Sequence, residues 1–243
     1  MHIIKLNATD STNSYLKKMA LSEKLKDLTV VMAHQQLKGK GQMGAVWNAE
    51  AGKNLTFSVL KKTERLDIAN QFLLNIYVSL AIYDTFRQLN LPNLSIKWPN
   101  DILSGHTKIC GILIENILLG TTIQQAIIGI GVNVNQITFK DLPNASSLKR
   151  IMGRTFDLDE LLHRIVQQLA NYFSNGFEKP TKAITEVYEK VLFRKDKPST
   201  FKDKDGELFM GFIKGISSKG LLCIQLEDNI LKEFDLKDVQ LLY

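Results

Sequence analysis

Apolar and polar positions follow two different periods along this chain, and together they predict a protein of mixed α and β structure. Short runs of apolar or β-branched residues favour strands, and apolar residues that recur every three or four positions favour helices. The predicted strands are residues 2–6, 29–34, 54–60, 96–97, 109–114 and 121–135. The predicted helices are residues 10–25, 67–88, 157–173 and 180–192, and a further helical stretch begins at residues 144–147. Pro180 lies in the first turn of the last helix, where proline is tolerated.

The pattern changes near residue 195. From there, short strands alternate with turns at Asp205-Gly206, Lys219-Gly220 and Asp228-Asn229, which is typical of a small antiparallel barrel. We therefore predict a larger domain over residues 1–194 and a small β domain over residues 195–243.

Residues 97–115, KWPNDILSGHTKICGILIE, combine a point at which a strand should end with several polar side chains. Pro99 has no N–H to donate to a neighbouring strand and restricts the residue before it to extended geometry. A strand that arrives through Lys97 should therefore end there and present Asn100 and Asp101 on a turn.

The second half of this stretch predicts a strand with a bare face. It begins at Lys108, and because alternate residues of a strand share a face, Ile109, Gly111 and Leu113 should point the same way. Glycine weakens a strand interior and often marks the close approach of a ligand or another backbone. Two lysines, a carboxylate and a carboxamide beside such a face indicate a binding or catalytic site.

Three further stretches each leave two interpretations open. The glycine-rich residues 35–53 could form an anion-binding loop around Lys40 or a flexible surface loop, and they match neither the P-loop nor the dinucleotide-binding spacing. The polar residues 10–13 suit helix capping as well as a site. The face shared by Gly129 and Asn133 suits a β-bulge as well as a cleared binding surface.

Composition narrows the classes of partner and compartment. The formal net charge is +6, which suits phosphates, nucleic acid or acidic proteins, or a solvated basic surface. Cys110 and Cys223 lie in apolar runs, so we expect buried free thiols, and the four histidines lack ligand spacing, so we expect no structural metal. No apolar stretch has signal-peptide or membrane-span character, so we expect a soluble cytoplasmic protein.

Five motifs together resemble the biotin protein ligases of the catalytic kind that lacks an N-terminal DNA-binding domain. They are DSTN at 10–13, QxxGKGQMGxxW at 36–47, KWPNDIL at 97–103, KxxGILIE at 108–115 and GIGVNVN at 129–135. The resemblance implies an α+β fold with a mixed sheet backed by helices, akin to the catalytic core of class II aminoacyl-tRNA synthetases. It also implies that the C-terminal segment is an SH3-like barrel.

The family's reaction, and its assignment to these residues, follow from the resemblance. Biotin and Mg-ATP give biotinoyl-5′-AMP and pyrophosphate, and a lysine of a biotin carboxyl carrier domain then takes the biotinoyl group. The attack brings two anions together, so fixed positive charge must lie between them. Lys108 is expected to supply that charge, with Lys40 holding the phosphates and Asp101 as the third catalytic residue.

The remaining roles are also those that the resemblance implies. The expected biotin-binding residues are Ser11, Thr12, Asn13, Gln36, Gly39, Lys40, Lys108, Gly111, Leu113 and Gly129. The expected ATP-binding residues are Lys40, Gln42, Trp47, Lys97, Asn100 and Asn133. Asn100 and Asp101 are expected to position Mg²⁺ or its waters, and either Lys97 or Asp101 could deprotonate the acceptor lysine. The glycine-rich loop departs from many members at Gln42 and Ala45.

Two other functions predict motifs or domains that can be looked for in the sequence. A lipoate or octanoate transferase on the same fold should carry an Arg-Arg-x-Ser/Thr-Gly-Gly-Gly run and a Gly-x-Val-x-His motif, and this sequence contains neither. A nucleic-acid-binding repressor should carry a helix-turn-helix domain, for which the motif at residues 10–13 leaves no room. We therefore expect a carrier protein, biotin and ATP as partners, with no DNA and no membrane, and with a homodimer possible.

Overall fold

The computed structural model describes residues 2–140, 142–174, 177 and 181–243. These residues form one large mixed sheet with helices and one separate antiparallel sheet, which confirms the predicted α+β class. The strands of the large sheet are β1 (His2–Thr9), β2 (Thr29–Gln36), β3 (Leu55–Asp67), β4 (Leu94–Lys97), β5 (Asp101–Ser104), β6 (Thr107–Leu119) and β7 (Thr122–Val132). Their order is β1-β2-β3-β7-β6-β5-β4. The β1–β2 pair is parallel and the other neighbouring pairs are antiparallel.

The helices lie close to the predicted positions, with shifted ends. They are α1 (Thr12–Ser22), α2 (Phe72–Gln88), α3 (Leu148–Met152), α4 (Leu158–Phe173) and α5 (Thr181–Lys190). The helix predicted from residue 67 begins later because β3 extends to Asp67, whose side chain accepts a hydrogen bond from the Ala69 N–H and caps a short 3₁₀ turn. Pro180 lies outside the described residues.

The two faces of the large sheet have different roles. One face packs against α2 and α4 and holds the main core, with Leu80 and Phe86 of α2 almost fully buried. On the opposite face α1 packs through Leu16 against Val31 and Leu60. None of the described helices other than α1 packs on that second face, so its remaining part, on β3, β6 and β7, is available for a site.

The second sheet is formed by the C-terminal residues. Its strands are β8 (Pro198–Asp203), β9 (Leu208–Ile216), β10 (Leu222–Gln225), β11 (Leu231–Phe234) and β12 (Val239–Leu242), in the order β11-β10-β9-β8-β12. The turns predicted at Gly206, Gly220 and Asn229 join these strands. A hydrogen bond of 2.9 Å from the Trp98 indole N–H to the Gly220 carbonyl links it to the β4–β5 turn. The domain boundary near residue 195 and the SH3-like description stay predictions.

Two further expectations concern the thiols and membranes. Cys110 and Cys223 are both buried and free, as the sequence predicted. Cys110 lies beneath the site in the main core, and burial raises the pKa of its thiol far above the usual range. In the described part of the chain, no helix has the length and hydropathy needed to cross a bilayer.

Core burial gives a first prediction. Leu80→Ala on α2 should lower the free energy of unfolding by about 2–5 kcal/mol, because it leaves a cavity in a region that cannot close around it. Leu21→Ala on α1 is the matched control, since Leu21 is 68% exposed and Leu80 is 1% exposed. Urea unfolding measures both, and equal effects of the two substitutions would contradict the assigned core.

Candidate active site

A β-bulge between β5 and β6 decides which way Lys108 points. Ile102 pairs with Cys110, but the next residue of β5 pairs with Lys108, so Ile109 is an extra residue in β6. Strict alternation would put Lys108 on the same face as Cys110 and away from Gly111. The bulge instead turns Lys108 to the Gly111 face, in keeping with the tendency of bulges to re-aim side chains beside sites.

The bulge also corrects one sequence prediction. Ile109 was expected to share a face with Gly111 and Leu113. As the bulged residue it is fully buried in the main core instead, with Cys110. Gly111 and Leu113 do share a face, since they pair with Gly131 and Gly129 of β7.

Lys108 is held by a carboxylate and lies near an aromatic ring. Its Nζ is 2.6 Å from Asp101 Oδ1, and its side chain is 34% exposed. The same ammonium lies 5.8 Å from the centre of the Trp47 ring. The arrangement gives a partly desolvated positive charge on the open face of the sheet.

The glycines of this face make room for two specific side chains. A Cβ at Gly131 would overlap the Trp47 indole, and one at Gly111 would crowd both Trp47 and Lys108. A Cβ at Gly129 would overlap the carboxamide of Asn13. The floor of the site is therefore a bare strip of β6 and β7, covered in part by Trp47.

The polar end of the site is built at the start of α1. Ser11 is the N-cap, with its Oγ 3.5 Å from the Ser14 N–H, so the capping interpretation holds for this residue. The backbone N–H of Thr12 donates to Gln36 Oε1 at 2.8 Å, and the Asn13 amide donates to the Leu113 carbonyl at 3.2 Å. Thr12 and Asn13 are each only 3% exposed, so their orientations are fixed by these contacts.

The glycine-rich loop forms a small hairpin over the floor. The Trp47 N–H donates to the Gly39 carbonyl at 3.0 Å, and the Gly41 N–H donates to the Ala45 carbonyl at 2.7 Å. A Cβ at Gly39 would overlap the Trp47 carbonyl, so a bare backbone is needed there for the two strands of the hairpin to meet. Lys40 Nζ donates to Ser14 Oγ at 3.1 Å, which joins the loop to α1.

Lys97, at the end of β4, and Asn100, in the β4–β5 turn, lie near Lys108 and Trp47. Burial lowers the pKa of Lys97, the nearby charge of Asp101 opposes that shift, and the charge of Lys108 adds to it. The Asn100 side-chain NH₂ group donates to the Ile112 carbonyl at 2.6 Å, so the side-chain oxygen of Asn100 takes no part in this hydrogen bond.

These elements enclose a cavity of about 500 Å³, within the usual size of small-molecule sites. Most of the predicted site residues line it: Thr12, Asn13, Gln36, Lys40, Gln42, Trp47, Lys97, Asn100, Asp101, Lys108, Gly111, Leu113 and Gly129. Ser11, Gly39 and Asn133 are not among the described residues that line it. The amide of Asn133 lies 3.4 Å from the Lys108 carbonyl.

Sequence reasoning missed the contribution of the second sheet. Leu236 and Gln240 line the same cavity, and the Tyr243 ring centre lies 4.6 Å from Lys97 Nζ. No local pattern marks these residues, because spacing predicts strands but not which edge of a sheet meets another domain. A second cavity of about 400 Å³ adjoins the first between the two sheets, lined by Lys97, Lys202 and Lys237 among others.

Fold and site together define a small-molecule-binding α+β protein with a polar pocket at a helix start and cationic groups on a glycine-lined sheet. The model of the biotin/lipoate A/B protein ligase family matches residues 6–133, more than half of the chain. The chain belongs to this family.

Individual relatives are similar to this chain over half of its length or more. The bifunctional ligase/repressor BirA of Bacillus spizizenii is 26% identical over 249 residues, which cover 99% of this chain and 74% of that protein. The biotin–[acetyl-CoA-carboxylase] ligase of Paracoccus denitrificans is 37% identical over 131 residues, or 53% of each chain. Among solved structures, the biotin protein ligase of Aquifex aeolicus in complex with biotin and ATP superposes with a TM-score of 0.82 at 26% identity, covering 99% of this chain and 98% of that one.

The contact between Trp47 and the glycine floor gives a second prediction. Gly131→Ala should push the indole into water, shift its fluorescence to longer wavelength and cost about 1–3 kcal/mol of stability through overpacking. The control is the Trp47→Phe protein, in which Trp98 is the remaining tryptophan. In this background Gly131→Ala should leave the fluorescence spectrum unchanged. An unchanged spectrum in the Trp47 protein would contradict the contact.

Proposed function

We propose that this chain is a biotin protein ligase, which forms biotinoyl-5′-AMP from biotin and ATP and transfers biotin to a lysine of a carboxyl carrier protein. The observation that carries the proposal is the Lys108 ammonium, which the bulge turns onto a bare sheet face in the same cavity as the polar pocket and two other lysines. The biotin ligases among the relatives and the Aquifex aeolicus complex with biotin and ATP support the same reaction.

Lys108 has the chemistry that the first step needs. A biotin carboxylate must attack the α-phosphate of ATP, and an ammonium between these two anions offsets their repulsion more strongly as charge develops at phosphorus. In this proposal the Lys108 ammonium leaves Asp101 and contacts the biotin carboxylate and the α-phosphate instead. Lys40 on the loop and Lys97 on the turn then contact the phosphates, with Gln42, Trp47 and Asn133 assigned to the rest of the nucleotide.

The freed Asp101 suits the magnesium ion that accompanies ATP. Magnesium keeps several waters and usually binds one or two protein oxygens together with substrate phosphates. Asp101 and the side-chain oxygen of Asn100 line the cavity together and match that requirement. The described residues contain no group of three or more His, Cys, Asp or Glu side chains that could hold a metal ion. The ion would neutralise phosphate charge.

The polar pocket suits the ureido ring of biotin. Thr12, Asn13 and Gln36 supply hydrogen-bonding groups at one end of the cavity, and Gly111, Leu113 and Gly129 supply a low floor for the bicycle. Ser11 is assigned to the same ring from its position beside Thr12 at the start of α1. Gly39 shapes the hairpin that covers the product. A mixed anhydride hydrolyses readily, so a loop that excludes water protects the activated biotin.

Lipoate transfer is the second candidate, since the family includes both activities. The absence of the Gly-x-Val-x-His motif and the resemblance of all five motifs to biotin ligases favour biotin. Pyrophosphate exchange into ATP separates the two, because only the acid that the enzyme activates will drive the exchange. Exchange with lipoate but not with biotin would overturn the proposal.

The role of Lys108 gives a third prediction. Lys108→Ala should lower biotin-dependent ATP–pyrophosphate exchange by at least about a hundredfold, because the reacting anions lose their fixed counter-charge. Lys18→Ala is the matched control, since Lys18 is an exposed lysine of α1. Near-normal exchange by folded Lys108→Ala protein would refute the assigned role.

The net charge gives a fourth prediction, for the second step. A chain of charge +6 should attract an acidic carrier domain, so the rate of biotin transfer to the carrier should fall by about tenfold from low to high salt. The exchange half-reaction, which needs no carrier, is the internal control and should change much less. Transfer that does not respond to salt would contradict electrostatic steering.

A further inference from the structure

One buried hydroxyl connects the residues of the polar pocket without lining the cavity itself. Ser58 lies on β3 opposite Gly129 of β7 and is fully buried. Its Oγ is 2.6 Å from Asn13 Oδ1 and 2.7 Å from Thr12 Oγ1. Gly129 leaves the space through which the Asn13 carboxamide reaches this hydroxyl.

The direction of these hydrogen bonds follows from the partners of Asn13. The Asn13 amide nitrogen lies 3.2 Å from the Leu113 carbonyl and 2.8 Å from Glu115 Oε2. Both partners are acceptors, so this atom is the NH₂ group, and the Asn13 oxygen faces Ser58. Because that oxygen can only accept, the single hydroxyl proton of Ser58 is donated to Asn13.

Thr12 is then constrained in turn. Its hydroxyl contacts Ser58 Oγ and lies 3.0 Å from Gln36 Oε1. Ser58 has no second proton, and Gln36 Oε1 is an acceptor because it also receives the Thr12 backbone N–H. The Thr12 hydroxyl proton is therefore donated to one of these two oxygens, and toward the cavity Thr12 can only accept.

We infer that Ser58 is a positioning residue that contributes to the specificity of the pocket: together with Gln36 it holds Thr12 as a hydrogen-bond acceptor and so selects a ligand ring that offers an N–H at that point. The inference rests on the proposed function, because the ureido ring of biotin carries such N–H groups. Glu115 orients the Asn13 carboxamide in turn, by accepting a hydrogen bond from its nitrogen.

Ser58→Ala tests the inference through the exchange assay. Without Ser58, Gln36 Oε1 is the one remaining acceptor that the described residues place near the Thr12 hydroxyl, and it already receives the Thr12 backbone N–H. The hydroxyl is then held less firmly away from the cavity, so the KM for biotin should rise about tenfold, while kcat and the KM for ATP change by less than about twofold. Discrimination against a cyclic-carbonate analogue, which has ring oxygens in place of both N–H groups, should fall about tenfold. Ser79→Ala is the matched control, since Ser79 is equally buried on α2, on the far side of the sheet.

A second variant keeps the test decisive if Ser58→Ala folds poorly. Glu115→Ala removes an acceptor from Asn13 at a partly exposed position, and it should raise the KM for biotin and lower discrimination in the same direction. Equal rises in both KM values, or unchanged discrimination in folded variants, would overturn the role of Ser58. Failure of the wild-type protein to show biotin-dependent exchange would overturn the proposed function instead.

Discussion

The geometry of the site depends on one extra residue in β6. A shift of one position along a strand moves every side chain to the opposite face, and the bulge at Ile109 makes this shift locally, between Lys108 and Gly111. β6 and β7 stay in register beyond it, from Cys110 to Ile117. The ammonium can therefore enter the cavity while the apolar residues that follow it still fill the core.

The charge brought to this face needs a partner. A partly buried ammonium without a nearby anion would lose hydration free energy, and Asp101 supplies the compensating charge at 2.6 Å. Burial lowers the pKa of the nearby Lys97, which means that keeping a second positive charge in this part of the cavity costs free energy. Anionic ligands relieve both constraints, which is a physical reason for a site with several lysines to favour phosphates and carboxylates.

The sequence predicted most of the strands, the helices and the residues that line the cavity, because each follows from local periodicity or from a motif with fixed spacing. The bulge was not predictable, since it arises from how β6 pairs with β5, and no pattern within Lys108, Ile109 and Cys110 reveals it. Ser58 and Gln240 belong to ordinary strand patterns, and only tertiary contacts give them a role.

The bare floor and the loop above it constrain each other. Trp47 covers Gly111 and Gly131 from a hairpin that also carries Lys40, so a ligand that reaches the floor at these glycines must displace the indole. The affinity of any ligand for the floor is therefore reduced by the free energy of moving Trp47. Because the hairpin backbone is closed by hydrogen bonds at Gly39 and Gly41, rotation of the indole side chain can expose the floor while the hairpin stays closed.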